Sequence, residues 1–251
     1  MIKLDFSNKT VLITGGTRGI GKITADLLFD SGANLILTGT NQNEIMALNH
    51  EAFKDADKRK KYLYADFSKE DSVYLFLDEI NKEDKIDVCI NNAGVNRINE
   101  FLDTEEEDYN WIMDINLRAP FEILKVVGRK MIENQYGRIV NIASIWSVIT
   151  RPGRSIYTTS KNALVGLTKT LSVEWAKDNV LVNAVSPGFT LTELTEQTNS
   201  PEQLKEIQNK IPMKRMAKPI ELAKVISFLC SEHNTYLTGQ NITIDGGYTS
   251  V

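Results

Sequence analysis

The chain has 251 residues, 42% of them apolar and 25% charged, as expected of a folded globular protein with one large core. A formal net charge of -4 argues against a general nucleic-acid binder, which carries a basic excess. No apolar run approaches the roughly 18 residues of a membrane span, and Met1 to Phe6 lack a signal-peptide pattern, so the expected location is the cytoplasm.

Val11-Leu12-Ile13 reads as a strand buried on both faces. It runs into Thr14-Gly15-Gly16-Thr17-Arg18-Gly19-Ile20-Gly21, and then into Ile23, Ala25, Leu27 and Leu28 at helical spacing. Strand, glycine-rich turn and helix make a phosphate cradle. Gly15 permits the tight turn, Gly19 leaves the backbone amides open to an approaching phosphate, and Gly21 allows close packing of the helix. Thr17, Arg18 and Ile20 complete this candidate cofactor loop. A ligand-free glycine turn is the plainer alternative.

Leu35 to Thr38 is the second strand, and Gly39-Thr40-Asn41 follows it. An acid here would bind a ribose 2′-hydroxyl and repel a 2′-phosphate. With no acid present and the cation Arg18 in the first loop, the set predicts NADP(H) over NAD(H), though NAD remains possible. The bland alternative for Arg18 is a solvated loop charge. Glu44 to Phe53 predicts a helix, and Lys58-Arg59-Lys60-Lys61 predicts a solvated basic loop. Tyr62-Leu63-Tyr64 is a third strand. Asp66 after it is either an adenine-binding carboxylate or a turn residue. Ser68 with Asp71 predicts a capping box.

Ile86 to Ile90 is the fourth strand, ending in Asn91-Asn92-Ala93-Gly94, small residues suited to the wall of a cofactor cleft. Thr104 with Glu107 predicts the cap of a helix carrying Trp111, Ile112, Ile115, Leu117 and Phe121. Asn116 lies within it and, if buried, needs partners, either in a structural network or in a site. Arg138 to Ile142 is the fifth strand, followed by Ser144 and a loop holding Trp146, Arg151 and Arg154. These three residues are candidate substrate contacts or solvent-facing side chains. Leu181 to Val185 is the sixth strand. Pro187-Gly188 then makes a sharp turn, and Thr190 and Thr192 are placed toward the cleft. Residues 190–212 predict a substrate lid, with Ser200-Pro201 starting a short helix. Pro219 opens another helix, and Ile242 to Ile244 is the last strand. The alternation predicts a single α/β domain over 1–251, a Rossmann-type doubly wound parallel sheet of about seven strands with helices on both faces. Cys89 and Cys230 sit in apolar runs and read as free thiols. His50 and His233 lie at no metal-binding spacing, so no metal is expected.

Tyr157 and Lys161 are four apart on one amphipathic helix, which places them one turn from each other. A lysine ammonium about 4 Å from a phenolate stabilises it by roughly 4 kcal/mol at an effective dielectric of about 20. That would lower the phenol pKa by up to about three units, toward the range where it trades protons. A solvated Tyr–Lys pair is the bland alternative for this motif alone.

Together these residues resemble the short-chain dehydrogenase/reductase family from Thr14 to Gly247. The glycine motif is met at Gly15, Gly19 and Gly21, the Asn-Asn-Ala-Gly at 91–94, and the Tyr-x-x-x-Lys at Tyr157 and Lys161. The resemblance implies catalytic roles for Asn116, Ser144, Tyr157 and Lys161, with Pro187, Gly188 and Thr192 at the nicotinamide. It implies hydride transfer between nicotinamide and a carbonyl or alcohol carbon, with Tyr157 trading the proton and Ser144 bonding the oxygen. Lys161 would lower the Tyr157 pKa and hold the ribose, and Asn116 would hold a relay water. A homotetramer or homodimer is also implied, packed through the Asn116 and Tyr157 helices.

The body is similar to the 3-oxoacyl-[acyl-carrier-protein] reductase branch, including Leu237-Thr238-Gly239-Gln240. Yet the two arginines with which that branch docks its acidic carrier fall on Gln135 and Val173. The expected substrate is therefore a small ketone or sugar-like molecule, with the carrier-bound thioester as the alternative. A nucleotide-binding protein without catalysis is a second alternative, and the intact Asn116, Ser144, Tyr157 and Lys161 set argues against it.

Overall fold

The computed structural model describes residues 4–54, 58–193, 195 and 200–251. Seven strands are β1 (Thr10–Ile13), β2 (Asn34–Gly39), β3 (Lys60–Tyr64), β4 (Val88–Asn91), β5 (Gly137–Ile142), β6 (Val180–Pro187) and β7 (Asn241–Ile244). They form one parallel sheet in the order β3-β2-β1-β4-β5-β6-β7. The order reverses at β1, which pairs with both β2 and β4. Open α/β sheets bind ligands beyond the carboxyl ends of the strands at such a point.

The apolar runs are strands because each is buried on both faces. Alternate residues feed two cores. Leu12, Ile36, Cys89, Ile139 and Val182 pack under α3 (Glu70–Asn81), α5 (Ala119–Glu133) and α6 (Ser155–Trp175). Val11, Ile13, Leu35, Leu37, Ile90 and Val140 pack under α1 (Gly19–Asp30) and α8 (Pro219–Cys230). Other α-helices among the described residues are α2 (Gln42–Lys54), α4 (Glu106–Met113) and α7 (Pro201–Lys210). Cys89 and Cys230 are buried free thiols, and burial pushes the Cys89 thiol up to about 12. No helix among the described residues is long and apolar enough to cross a membrane.

Several local expectations are corrected. Lys60 and Lys61 are not loop residues but begin β3, pairing with Leu35 and Ile36. Arg59 donates to the Phe29 and Ala33 carbonyls, and Lys60 lies 3.9 Å from the Phe29 ring centroid. Ser68 does not cap α3, because its hydroxyl donates to Asp66 at 2.6 Å. Thr104 does not cap α4, because its hydroxyl donates to the Glu100 carbonyl. The helix carrying Asn116 is not continuous: a π turn over Asp114–Arg118 separates α4 from α5. By contrast Ser200 caps α7 with Pro201 in its first turn, and Ser200 and Gln203 form a reciprocal capping box. Within the expected lid, residues 194 and 196–199 lie outside the described residues.

Candidate active site

The site is built where β1, β2 and β4 end. The Thr38 hydroxyl accepts from Gly15 N at 3.0 Å, and the Thr14 hydroxyl accepts from Asn92 N and Ala93 N, each at 3.0 Å. The Asn92 amide donates to the Thr14 and Gly15 carbonyls at 2.9 and 3.0 Å. Asn92 therefore braces the glycine loop rather than offering a free amide to a ligand. Gly15 and Gly19 adopt left-handed φ of 63° and 57°, as the turn requires. A Cβ on Gly21 would lie 2.3 Å from the Gly15 carbonyl oxygen, so this glycine is fixed by the loop in front of it.

A cleft of about 400 Å³ opens at this point, lined by Gly15, Thr17, Arg18, Gly19 and Ile20 on one side and Asn92, Ala93 and Gly94 on another. Gly39, Thr40, Asn41 and Asp66 also line it, as does Thr192. The first turn of α1 has no side-chain cap, which leaves its amides for an anion. A long cleft with uncapped amides at one end and the cation Arg18 beside them fits a dinucleotide. Asn41 accepts from the amides of Asn43 and Glu44, so it caps α2 as well as lining the cleft. Asp66 lines the cleft and also holds its turn: its carboxylate accepts from Ser68 and pairs with Lys69 at 3.1 Å, contacts that hold it below the usual carboxylate range against burial.

At the inner end, α6 presents Tyr157, Ser160 and Lys161. Lys161 is buried and donates to the Ile142 carbonyl at 2.8 Å. A Cβ on Gly94 would lie 3.2 Å from Lys161 Nζ and 3.4 Å from Asn116 Oδ1, so this glycine sits directly against both side chains. Burial lowers the Lys161 pKa to about 8. The Ser144 hydroxyl is near enough to the Tyr157 phenol to act on its pKa. Burial raises the phenol pKa above its ordinary value, and the Ser144 hydroxyl and the Arg154 charge only partly offset this. The expected lowering by Lys161 is corrected here: Nζ lies 5.7 Å from the ring centroid and is turned to Ile142.

Asn116 is fully buried in the π turn. Its Oδ1 accepts from Val95 N at 2.8 Å, and its Nδ2 donates to the Val95 carbonyl at 2.9 Å and to Ser160 Oγ at 3.1 Å. Ser160 in turn donates to the Tyr157 carbonyl at 2.8 Å. The amide thus ties the β4 loop to the Tyr157 helix. Ser144 follows β5, and its Oγ accepts from Trp146 N at 3.3 Å. Pro187 ends β6, and Gly188 donates to the Ile244 carbonyl. A Cβ on Gly188 would lie 2.7 Å from Asp245. Thr190 departs from expectation: it is buried, and its hydroxyl donates to the Gly188 carbonyl at 3.2 Å rather than facing the cleft.

Trp146 is buried, in edge-to-face contact with Phe189, and Arg151 and Arg154 lie over its ring. The sequence reading missed Thr14, Thr38 and Ser160, whose hydroxyls hold the loops together. It also missed Glu44 and Glu193, two acids on the cleft. Only Thr14 and Thr38 carried a signal, as hydroxyls at the ends of apolar strands. Among the described residues no cluster of His, Cys, Asp or Glu could hold a metal.

A family model described as enoyl-(acyl carrier protein) reductase matches residues 15–249. The chain is 37% identical to the 3-oxoacyl-[acyl-carrier-protein] reductase FabG of Rickettsia conorii, over 99% of this chain and 100% of that protein. A gluconate 5-dehydrogenase from Burkholderia cenocepacia, solved with NADP and tartrate, superposes with a TM-score of 0.90 at 29% identity, covering 99% of this chain and 98% of that one. A gluconate dehydrogenase structure from Agrobacterium tumefaciens, itself assigned provisionally, gives a TM-score of 0.89 at 31% identity, with both chains fully covered. The chain belongs to the short-chain dehydrogenase/reductase family and is an oxidoreductase of that family.

Proposed function

We propose that the protein interconverts a carbonyl and a secondary alcohol with NADP(H), using Tyr157 as the proton donor and acceptor. The observation that carries this reading is that Ser144 lies beside the phenol of Tyr157, a residue of the helix that also carries buried Lys161, whose amine lies against the Gly94 wall of the cleft. When bound, the nicotinamide cofactor supplies or takes the hydride. Tyr157 gives its proton to the substrate oxygen, and Ser144 donates a hydrogen bond to that oxygen as charge develops. Burial keeps the phenol protonated, so it carries the proton that a developing alkoxide would take. Lys161, with a pKa near 8, keeps positive charge beside the site at neutral pH. Asn116 serves as a positioning residue, fixing Val95 against α6.

Arg18, Thr40 and Asn41 support NADP(H) over NAD(H). The substrate is a small ketone or sugar-like molecule, in keeping with the likeness to gluconate dehydrogenases. The similarity to FabG favours a second reading, reduction of a carrier-bound 3-oxoacyl thioester. Against it, Gln135 and the exposed Val173 offer no cation to an acidic carrier. The oligomer is a homotetramer, supported by an apolar groove of Met113, Leu117, Phe121, Ala163 and Leu167 along α4, α5 and α6. NADPH and NADH oxidation, followed with keto-sugars and acetoacetyl thioesters side by side, tests the reading. Turnover of keto-sugars with NADPH supports it, and turnover of thioesters alone favours the second.

A further inference from the structure

We infer that the substrate carries a carboxylate, held by Arg154 with help from Arg151, a few carbons from the carbonyl that reacts. The inference rests on the carbonyl reductase reading above and adds the charge of the substrate. Arg154 immediately precedes α6, three residues before Tyr157 and therefore about 4.5 Å back along the helix axis. Its Nε is buried and has no hydrogen-bond partner. Among the described residues no carboxylate pairs with half-buried Arg154 or exposed Arg151. Arg138, the other cation with a buried unpartnered Nε, has its Nη1 on backbone carbonyls, that of Asn179 at 2.9 Å, and Lys9 has the Glu232 carboxylate at 2.8 Å.

The two guanidinium groups are instead gathered on one surface. Arg151 Cζ lies 5.1 Å and Arg154 Cζ 5.4 Å from the centroid of the Trp146 ring. That indole is buried and held edge-on by Phe189, which is itself held by Tyr248. Ser144 binds the backbone of the same residue, so the platform is continuous with the reacting groups. Burial and the Arg151 charge both push the Arg154 guanidinium below its ordinary value, and the Arg154 charge in turn reaches the Tyr157 phenol. The half-buried Arg154 guanidinium keeps an unsatisfied Nε donor, and a guanidinium fork matches the two oxygens of a carboxylate.

The opposing segment adds a complementary group. Gly153 turns with a left-handed φ of 75°, and a Cβ there would lie 2.8 Å from Ile98. The 95–99 segment is thus pressed against the arginine turn. Asn96 in that segment has a buried Oδ1 with no partner, an acceptor suited to a substrate hydroxyl.

Matched pairs that differ by one charge test the inference. Acetoacetate, levulinate and 5-oxohexanoate are each compared with their methyl esters in NADPH oxidation, for the native protein and for Arg154→Gln and Arg154→Lys. The acid-to-ester ratio of kcat/KM for the preferred chain length is expected to fall about ten- to a hundred-fold in Arg154→Gln, with partial recovery in Arg154→Lys. A second arm needs no turnover. Gluconate should raise the Tm of the NADP-loaded native protein more than sorbitol does, and Arg154→Gln should remove that difference. Equal handling of acid and ester, or equal protection by gluconate and sorbitol, overturns the inference and leaves the reductase reading standing. Absence of turnover with every ketone counts against that reading instead, and the Tm arm still decides the anion site.

Discussion

Lys161 illustrates how the site trades stability for chemistry at the level of one side chain. It is buried, its Nζ donates to the Ile142 carbonyl, and its pKa falls to about 8 from 10.5. Below about pH 8 the amine is charged in both folded and unfolded chains, and folding bears the full cost of burying that charge. Between about 8 and 10.5 the folded chain releases the proton while the unfolded chain keeps it, so this contribution to stability rises with pH. Lys161→Met is expected to stabilise the cofactor-free protein by about 1–3 kcal/mol at pH 7. Denaturant unfolding at several pH values checks this, since the gap between the variant and the native protein should close as pH rises toward 10.5. A gap that widens would reverse the sign of the account. Tyr157 shows the limit of reading charge from spacing. The i, i+4 relation placed Lys161 on the correct face, but spacing carries no information about Ile142, whose carbonyl takes the amine.

At the level of elements, the π turn over Asp114–Arg118 has the largest consequence for the site. It places Asn116 where its amide pairs with both polar backbone groups of Val95, much as a strand neighbour would. Asn116→Ala leaves these groups and Ser160 without that partner. We expect a loss of about 1–3 kcal/mol in unfolding free energy. We also expect a lower kcat, because Ser160 contacts the Tyr157 turn of α6. Full retention of stability would show that Val95 finds another partner. The seven strand positions and the glycine turn were legible in the sequence, because apolar runs and clustered glycines are local signals. The caps at Ser68 and Thr104 were not, because their hydroxyls had other acceptors in Asp66 and Glu100. The π turn was likewise hidden: one residue of slippage barely alters the apolar periodicity around Ile112 and Ile115. Lys60 and Lys61 read as a solvated loop because the stretch is strongly charged. Pairing with β2 and the Phe29 ring decided otherwise.

For the whole molecule, the sheet order places the cleft at the β1–β4 switch point, with Ser144 after β5 and Tyr157 and Lys161 on α6. The groove containing Leu117, Phe121 and Leu167 lies on the outer side of the same helices. Phe121 is 47% exposed there, a large apolar surface for a free face. Light scattering after size exclusion is expected to give the mass of four chains, and Phe121→Asp is expected to give a smaller species. An unchanged mass in that variant would remove this face from the assembly.

The central claim is that the Tyr157 hydroxyl moves the proton of the reaction, and Tyr157→Phe tests it most directly because one oxygen is removed and the ring remains. With NADPH bound and a ketone turned over by the native protein, kcat/KM should fall by about a thousand-fold or more, while the Kd for NADPH changes by no more than a few-fold. A variant that keeps a tenth or more of the native rate would contradict the account.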